Sequence, residues 1–424
     1  QEPLGTSLKK FWTEYGTPTH LFVSSRYLEK ILDAKLGGTV AQIVTSGFET
    51  WPILRQPTFP DRFDIKPYRQ EPLASQELIF GLSERVNQQG EILKPLQFEE
   101  LEFINSKLKL MNVKRVCVNL LFANRNPNHQ KQVAHYFAEQ GFEVFASERS
   151  PLSADEMPAW RKNVINACLS GAFSEHVEDI QKSFAENTVK LSFLDHHGNV
   201  FLENKNQIAG SLFAWANALS DGLKGKAEQI LCLDLESWAL ISCREKSAFW
   251  ESSWGLIENT IPVFKKLRMQ PTLEITQGFL GGLQFSKNEL GFEPGPMCFG
   301  RAWKPTIFDM LHQKFPSQIP QVQDSGCRKF KDHLVATIKN IPELETATVD
   351  RLIQNLLDHL IHHICIEAQF KSEKSAKKTL VTGFFAPALF PLLQKQWFDS
   401  KLELDPLASL RSIHSLSALA GEKQ

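Results

Sequence analysis

Short, continuous apolar runs alternate along this chain with longer stretches in which apolar residues recur every third or fourth position. The first kind reads as buried strand and the second as amphipathic helix. "HLFVSS" (20–25), "RYLEKILDAKL" (26–36) and "TVAQIVTS" (39–46) predict strand, helix and strand, with Gly37-Gly38 as the helix stop. A second series follows: "FEELEFINSKLKLMN" (98–112) as helix, "RVCVNLLF" (115–122) as strand, "NPNHQKQVAHYFAEQG" (126–141) as helix ending on Gly141, and "EVFAS" (143–147) as strand. Asn126 reads as the cap of that helix and Pro127 as its first turn.

Residues 57–100 are rich in proline, charge and aromatics, and predict an irregular excursion with short strands. Residues 155–190 read as mostly helical, and "KLSFLDHHGNVFLE" (190–203) as a hairpin turning at His197-Gly198-Asn199. A further unit combines "IAGSLFAWANAL" (208–219) as one helix with "QILCLDL" (229–235) and "WALISCRE" (238–245) as strands. Residues 328–370 predict one long helical stretch, and "KTLVTGFFAPALFPLLQKQW" (378–397) predicts strand, glycine turn and helix. Alternating strands and helices imply an α/β fold whose mostly parallel sheets are covered by helices.

Composition narrows the class. The 424 residues exceed one ordinary core and imply two or three packed units. A net charge of −1 gives no general attraction for nucleic acid or an anionic membrane, and the longest apolar runs fall short of the roughly 20 residues of a membrane span. The opening "QEPLGTSLKKFW" lacks the basic-then-apolar order of a signal peptide, and a chain that begins with Gln is consistent with a trimmed product. The seven cysteines are scattered, lie mostly in apolar runs and form no CxxC. Buried free thiols in the cytoplasm are therefore expected, not a disulfide or zinc framework.

A set of segments then gives the chain a family likeness. "VTSGFETWPILRQPTFPDRFDIKPYRQEPL", "GLSERVNQQGEILKPL", "VCVNLLFANRNPNHQ", "NVINACL", "LDHHGNVF", "IAGSLFAWANAL", "LGFEPGPMCFGR" with "KPTIFD", and "GFFAPALFPLLQKQW…SLRSIHSLSALA" occur in one order. In order and spacing this is similar to the hydantoinase A/oxoprolinase family, from about Val23 onward. The resemblance implies an actin-like, ribonuclease H-like fold, with a partial N-terminal lobe in residues 1–150 and a fuller C-terminal lobe in 151–424. It also implies ATP- and Mg²⁺-dependent opening of a cyclic amide such as hydantoin or 5-oxoproline, or carboxylation of a ketone by relatives, usually beside a B-type subunit. Phosphorylating the carbonyl oxygen of a ring amide creates a leaving group, which requires a phosphate cradle.

The positions matching that cradle have changed. Where the family has Asp-Met-Gly-Gly-Thr, this chain has Asp234-Leu235-Glu236-Ser237-Trp238. Phosphate must approach bare backbone, whereas Glu236 brings like charge and Trp238 brings bulk. The family's Ser-Gly-Pro-Ala-Gly-Gly keeps only Gly210, and its late Gly-Gly-Ala-Gly-Pro becomes Gly383-Phe384-Phe385-Ala386-Pro387. The family's opening Asp-x-Gly-Gly-Thr has no match within this sequence. The side that would face substrate is better kept: "PGPMCFGR" (294–301) makes Arg301 and Asp309 candidate substrate residues, with Cys298 beside them.

His359, His362 and His363 share a helix face but lack the His-Glu-x-x-His order, so half-buried packing is the simpler account than a metal. Nine Trp and thirty-one Phe, with Trp238, Trp250 and Trp254 close in sequence, either fill a former cleft or form a partner-facing patch. Two readings stand. One is a family member that has lost ATP binding and serves as a non-catalytic subunit or binding module, joined to a B-type subunit or to copies of itself. The other is an ATP-dependent cyclic amide hydrolase subunit.

Overall fold

The computed structural model describes residues 4–24, 27–33, 36–52, 73–146, 156–184, 189–195, 200–201, 205–212, 214–223, 225–234, 238–243, 248–252, 255–259, 263–264, 283–286, 289–292, 297–299, 305–318, 324–340, 346–371, 378–397 and 401–408. The chain begins with α1 (Leu4–Tyr15), β1 (His20–Val23), α2 (Tyr27–Asp33) and β2 (Val40–Thr45). The 76–94 region supplies β3 (Ile79–Leu82), β4 (Arg85–Val86) and β5 (Ile92–Lys94). Next come α3 (Phe98–Leu110), β6 (Arg115–Asn119), α4 (Asn128–Glu139), β7 (Glu143–Ala146) and α5 (Glu156–Gln181).

The second half opens with β8 (Lys190–Leu194), β9 (Val200–Phe201), α6 (Ile208–Ser211) and α7 (Ala214–Gly222), then β10 (Gln229–Leu233) and β11 (Trp238–Ser242). Two hairpins, β12 (Ala248–Ser252) with β13 (Gly255–Asn259) and β15 (Leu283–Ser286) with β16 (Glu289–Phe292), flank the short β14 (Val263–Phe264). The chain then forms α8 (Ile307–Lys314), α9 (Asp324–Asn340), α10 (Val349–Lys371), β17 (Lys378–Thr382), α11 (Ala386–Gln396) and β18 (Lys401–Leu404).

One sheet runs β3-β2-β6-β7 and is parallel throughout. All six residues of β2 are buried, as a parallel strand covered on both faces requires. Its two faces separate by alternation: Ala41 and Ile43 join Val116 and Val118 under α3 and α4, while Val40, Cys117 and Phe145 meet Val164, Ala167 and Cys168 of α5. A smaller sheet, β1-β8-β9, packs on the other flank of the same helix through Ile165, Leu169, Phe173 and Val177. Because α5 serves two sheets, it is apolar around most of its circumference.

The third sheet has the order β14-β11-β10-β17-β18, with β10, β17 and β18 parallel and β11 antiparallel to β10. Leu231, Leu233, Trp238, Leu240 and Val381 pack toward α8–α11, whereas Ile230, Cys232, Ala239, Ile241 and Leu380 pack toward α7.

Two expectations are corrected. The predicted helix over 328–370 is two helices, α9 and α10, and Pro342 lies between them, where proline removes a donor and disfavours helix in the preceding residue. "IAGSLFAWANAL" is likewise divided, because Leu212 leaves the helical region at φ −62°, ψ 130°. The predicted strand, helix and strand of residues 20–46 are present as β1, α2 and β2, and the two strands join different sheets: β1 pairs with β8, while β2 pairs with β3 and β6. The hairpin turn at His197-Gly198-Asn199 lies outside the described residues, although β8 and β9 do pair antiparallel.

Candidate functional site

Parallel strands β10, β17 and β18 end side by side, which brings Asp234, Thr382-Gly383 and Asp405 to one edge of the sheet. Open α/β sheets bind ligands at this carboxyl edge. Gly383 adopts φ +101°, and a Cβ there would stand 2.4 Å from Leu233 O, so the crossing of β17 past β10 requires glycine. Three amides of this turn are used internally. Gly383 N–H donates to Ala408 O at 3.0 Å, Phe385 N–H to Leu233 O at 3.0 Å, and Ala386 N–H to Gly383 O at 3.1 Å.

Asp405, 1% exposed, accepts from Thr382 Oγ1 at 3.0 Å and from Leu407 N–H at 3.1 Å. The Phe385 ring is buried edge-on to Phe308 and to Phe384, at centroid distances of 5.8 and 5.0 Å. Trp238, paired with Leu233 across β10 and β11, is 4% exposed and its Nε1–H has no acceptor among the described residues. Glu236 and Ser237 lie outside the described residues. Gly210 is buried in α6, where Asn166 of α5 accepts from Ala209 N–H at 2.7 Å and donates to Asn206 O at 2.7 Å. The α6 start is thus tied to α5 by a side chain.

Arg301 lies outside the described residues. Asp309 is 1% exposed and accepts four hydrogen bonds: from Cys298 N–H at 2.7 Å, Met297 N–H at 3.0 Å, and Thr306 N–H and Oγ1–H at 2.8 Å each. It is therefore both the N3 half of a capping box at α8 and the clamp on the 297–299 turn. α9 comes so close to that turn that a Cβ on Gly326 would lie 2.3 Å from Met297 O. Burial, and then the Asp309 carboxylate beside it, hold the Cys298 thiol far above the usual range and so un-ionised.

A polar centre missed by sequence reasoning lies at the carboxyl edge of β3-β2-β6-β7. The Glu84 side chain is fully buried and accepts from Thr45 Oγ1 at 2.5 Å, while its second oxygen meets His129 Nδ1 at 2.7 Å. An ionised carboxylate only accepts, so Nδ1 carries the hydrogen and a neutral ring keeps its lone pair on Nε2. Thr45 Oγ1 accepts in turn from Leu121 N–H at 2.9 Å. Asn163 donates to Asn119 Oδ1 at 2.8 Å and to Phe145 O at 2.9 Å, linking α5 to the ends of β6 and β7.

The loop above this centre holds Phe122 at φ +57°, a left-handed value that costs a non-glycine residue on the order of 1–3 kcal/mol, and its N–H donates to Glu156 Oε1 at 2.5 Å. The signal for His129 was its place on the buried face of α4, at i, i+4 and i+8 with Val133 and Phe137. Asn126, the expected cap, lies one residue before the N-cap, which is Pro127 and not a first-turn residue; Asn126 accepts from Asn128 N–H at 3.1 Å and ties the helix start to Gly90 O at 2.8 Å. Among the described residues no set of three or more His, Cys, Asp or Glu converges to hold a metal, and no helix is long and apolar enough to cross a membrane.

Residues 27–141 match the hydantoinase/oxoprolinase N-terminal region. An uncharacterized protein of Methanocaldococcus jannaschii is 25% identical over 142 residues, 33% of this chain and 21% of that protein. Nucleotide-free acetone carboxylase superposes on 98% of this chain with a TM-score of 0.74 at 14% identity, over 64% of its own length. The ATP-dependent caprolactamase of Pseudomonas jessenii superposes on 97% with a TM-score of 0.64 at 15% identity, also over 64% of its length. The chain therefore spans less than two thirds of each solved relative and about a fifth of the curated one. Sheet order and superposition give the chain an α/β fold of the actin-like ATPase type. Within that fold, residues 27–141 carry the hydantoinase/oxoprolinase N-terminal region.

Proposed function

We propose that this chain is a family member whose nucleotide turn has closed on itself, and that it serves as a non-catalytic subunit or binding module. The observation that carries this reading is the 383–386 turn. The amides of Gly383 and Phe385 donate to Ala408 O and Leu233 O, and the Phe385 ring fills the space beside them. A bound phosphate or adenosine would have to break those hydrogen bonds and displace a buried phenylalanine, at about 3–5 kcal/mol for the ring alone. Asp234 then terminates a strand, and Asp309 clamps the 297–299 turn without facing a substrate. The natural associates are a hydantoinase B-type subunit or further copies of this chain.

The second reading, an ATP-dependent cyclic amide hydrolase subunit, is favoured by the Glu84–His129–Thr45 centre, which places an oriented imidazole at the carboxyl end of a parallel sheet. Its likeness to enzymes named for acetone carboxylation and caprolactam hydrolysis points the same way. Phosphate release from Mg-ATP in the presence of hydantoin, 5-oxoproline or caprolactam separates the two. The first reading expects no ring-dependent release; release that requires both the ring and Mg²⁺ would replace it with the second.

A further inference from the structure

Helix α10 buries Leu357, Leu360, Ile361 and Ile364 in the main core of its lobe, which fixes its outward face. On that face His359 and His363 are both exposed, one helical turn apart, with ring planes at 82° and Nε2 atoms 3.1 Å apart. The nearby Asp358 carboxylate is engaged separately, accepting from Gln354 Nε2 at 2.9 Å. We infer that His359 and His363 form a two-imidazole chelate for a divalent transition-metal ion.

The donor separation already suits a chelate, so that only rotation of the rings and a change of tautomer are needed. Imidazole–metal bonds of about 2.0–2.1 Å enclosing 90–109° put the two donor nitrogens about 2.8–3.4 Å apart, a range that contains the observed separation. At present one Nε2–H donates to the other Nε2. On metal binding the donating ring shifts its hydrogen to Nδ1, both Nε2 lone pairs face the ion, and no proton is lost. Two neutral imidazoles select Cu²⁺, then Ni²⁺ and Zn²⁺, over Mg²⁺ or Ca²⁺, which prefer oxygen. The remaining coordination positions are left to water or to a ligand from another molecule. His362 is exposed on the same helix but is not part of the bonded pair, so it serves as the internal control.

The test is titration of the full chain with Cu²⁺, Zn²⁺ and Mg²⁺ by calorimetry, with Cu²⁺ also read by electron paramagnetic resonance for nitrogen ligation. The chelate requires a Cu²⁺ site that weakens in His359→Ala and in His363→Ala, and does not weaken in His362→Ala. The loss should be at least the roughly 10–100-fold that removing even an outer-shell partner costs. Zn²⁺ should bind the same site more weakly, and Mg²⁺ not at all. Both residues are exposed, so circular dichroism should show the variants folded. Equal Cu²⁺ affinity in the wild type and the His359→Ala/His363→Ala double variant would overturn the proposal, as would a Cu²⁺ spectrum unchanged by either single substitution.

Discussion

Replacing Asp309 tests whether that residue holds the fold or awaits a substrate. Its carboxylate accepts four hydrogen bonds while 1% exposed, three of them from backbone amides. Hydrogen bonds to a charged group contribute about 1.5–3 kcal/mol each, and an orphaned buried donor costs about 1–3 kcal/mol. These terms are not additive, and relaxation or entering water recovers part of them, so Asp309→Ala should cost about 3–5 kcal/mol. Asp309→Asn can satisfy the donors at one oxygen but turns an NH₂ group toward Cys298 N–H, and should cost about 2–3 kcal/mol. Differential scanning calorimetry should find the alanine variant unfolding about 10 °C lower, using roughly 2–4 °C per kcal/mol for a unit of this size. Cys298, protected in the native chain by burial, should react with a thiol reagent in the alanine variant without denaturant. Unchanged melting and unchanged Cys298 protection in Asp309→Ala would refute the clamp and return Asp309 to the substrate candidates.

The remaining predictions concern separate parts of the molecule. Gly383→Ala forces a methyl group to 2.4 Å from Leu233 O at φ +101°, and should cost at least about 2 kcal/mol in urea unfolding; a neutral substitution would show that the turn differs. Glu84→Ala leaves Thr45 and His129 without their buried acceptor and should cost about 3–5 kcal/mol, read as earlier unfolding of the β3-β2-β6-β7 unit by hydrogen exchange. Exchange protection equal to wild type would contradict this. His176 stacks on Tyr27, and burial, partly opposed by Asp179, lowers its pKa from 6.5 to about 4. The unfolded chain thus binds the extra proton first, and stability falls as pH drops from 6.5 toward 4, by about 3 kcal/mol in all. His176→Phe should lose correspondingly less stability between pH 7 and 4, and an identical pH slope would count against the buried neutral ring.

Elements with strong periodicity were legible in the sequence. α4 stops just before Gly141, which takes a positive φ, β10 is apolar from Ile230 to Leu233, and the β17–Gly383–α11 passage follows the predicted strand, turn and helix. Legibility failed where breaks or distant pairings decide the structure. Nothing local marks β3 as the parallel neighbour of β2, because 33 residues separate their chain segments and the pairing is set by helices packed later. A register between sheets, such as β1 with β8, is equally invisible to local pattern. For the candidate site, the altered glycine positions were readable as residue changes. The consumption of the Gly383 and Phe385 amides was not, because their acceptors come from β10 and from Ala408. Glu84, Thr45 and His129 converge from three chain segments, so each alone looked like ordinary polar residue next to a strand or helix end.

Whether the 383–386 turn is closed to nucleotide is tested most directly by thermal unfolding of the chain with and without millimolar Mg-ATP. A ligand that binds only the folded state must stabilise it by about 2.7 kcal/mol at one hundred times Kd. The account predicts the same midpoint with and without nucleotide, in the presence and absence of Mg²⁺. A Mg²⁺-dependent rise of several degrees, saturating with ATP and lost in Gly383→Ala only to the extent that folding is lost, would contradict it.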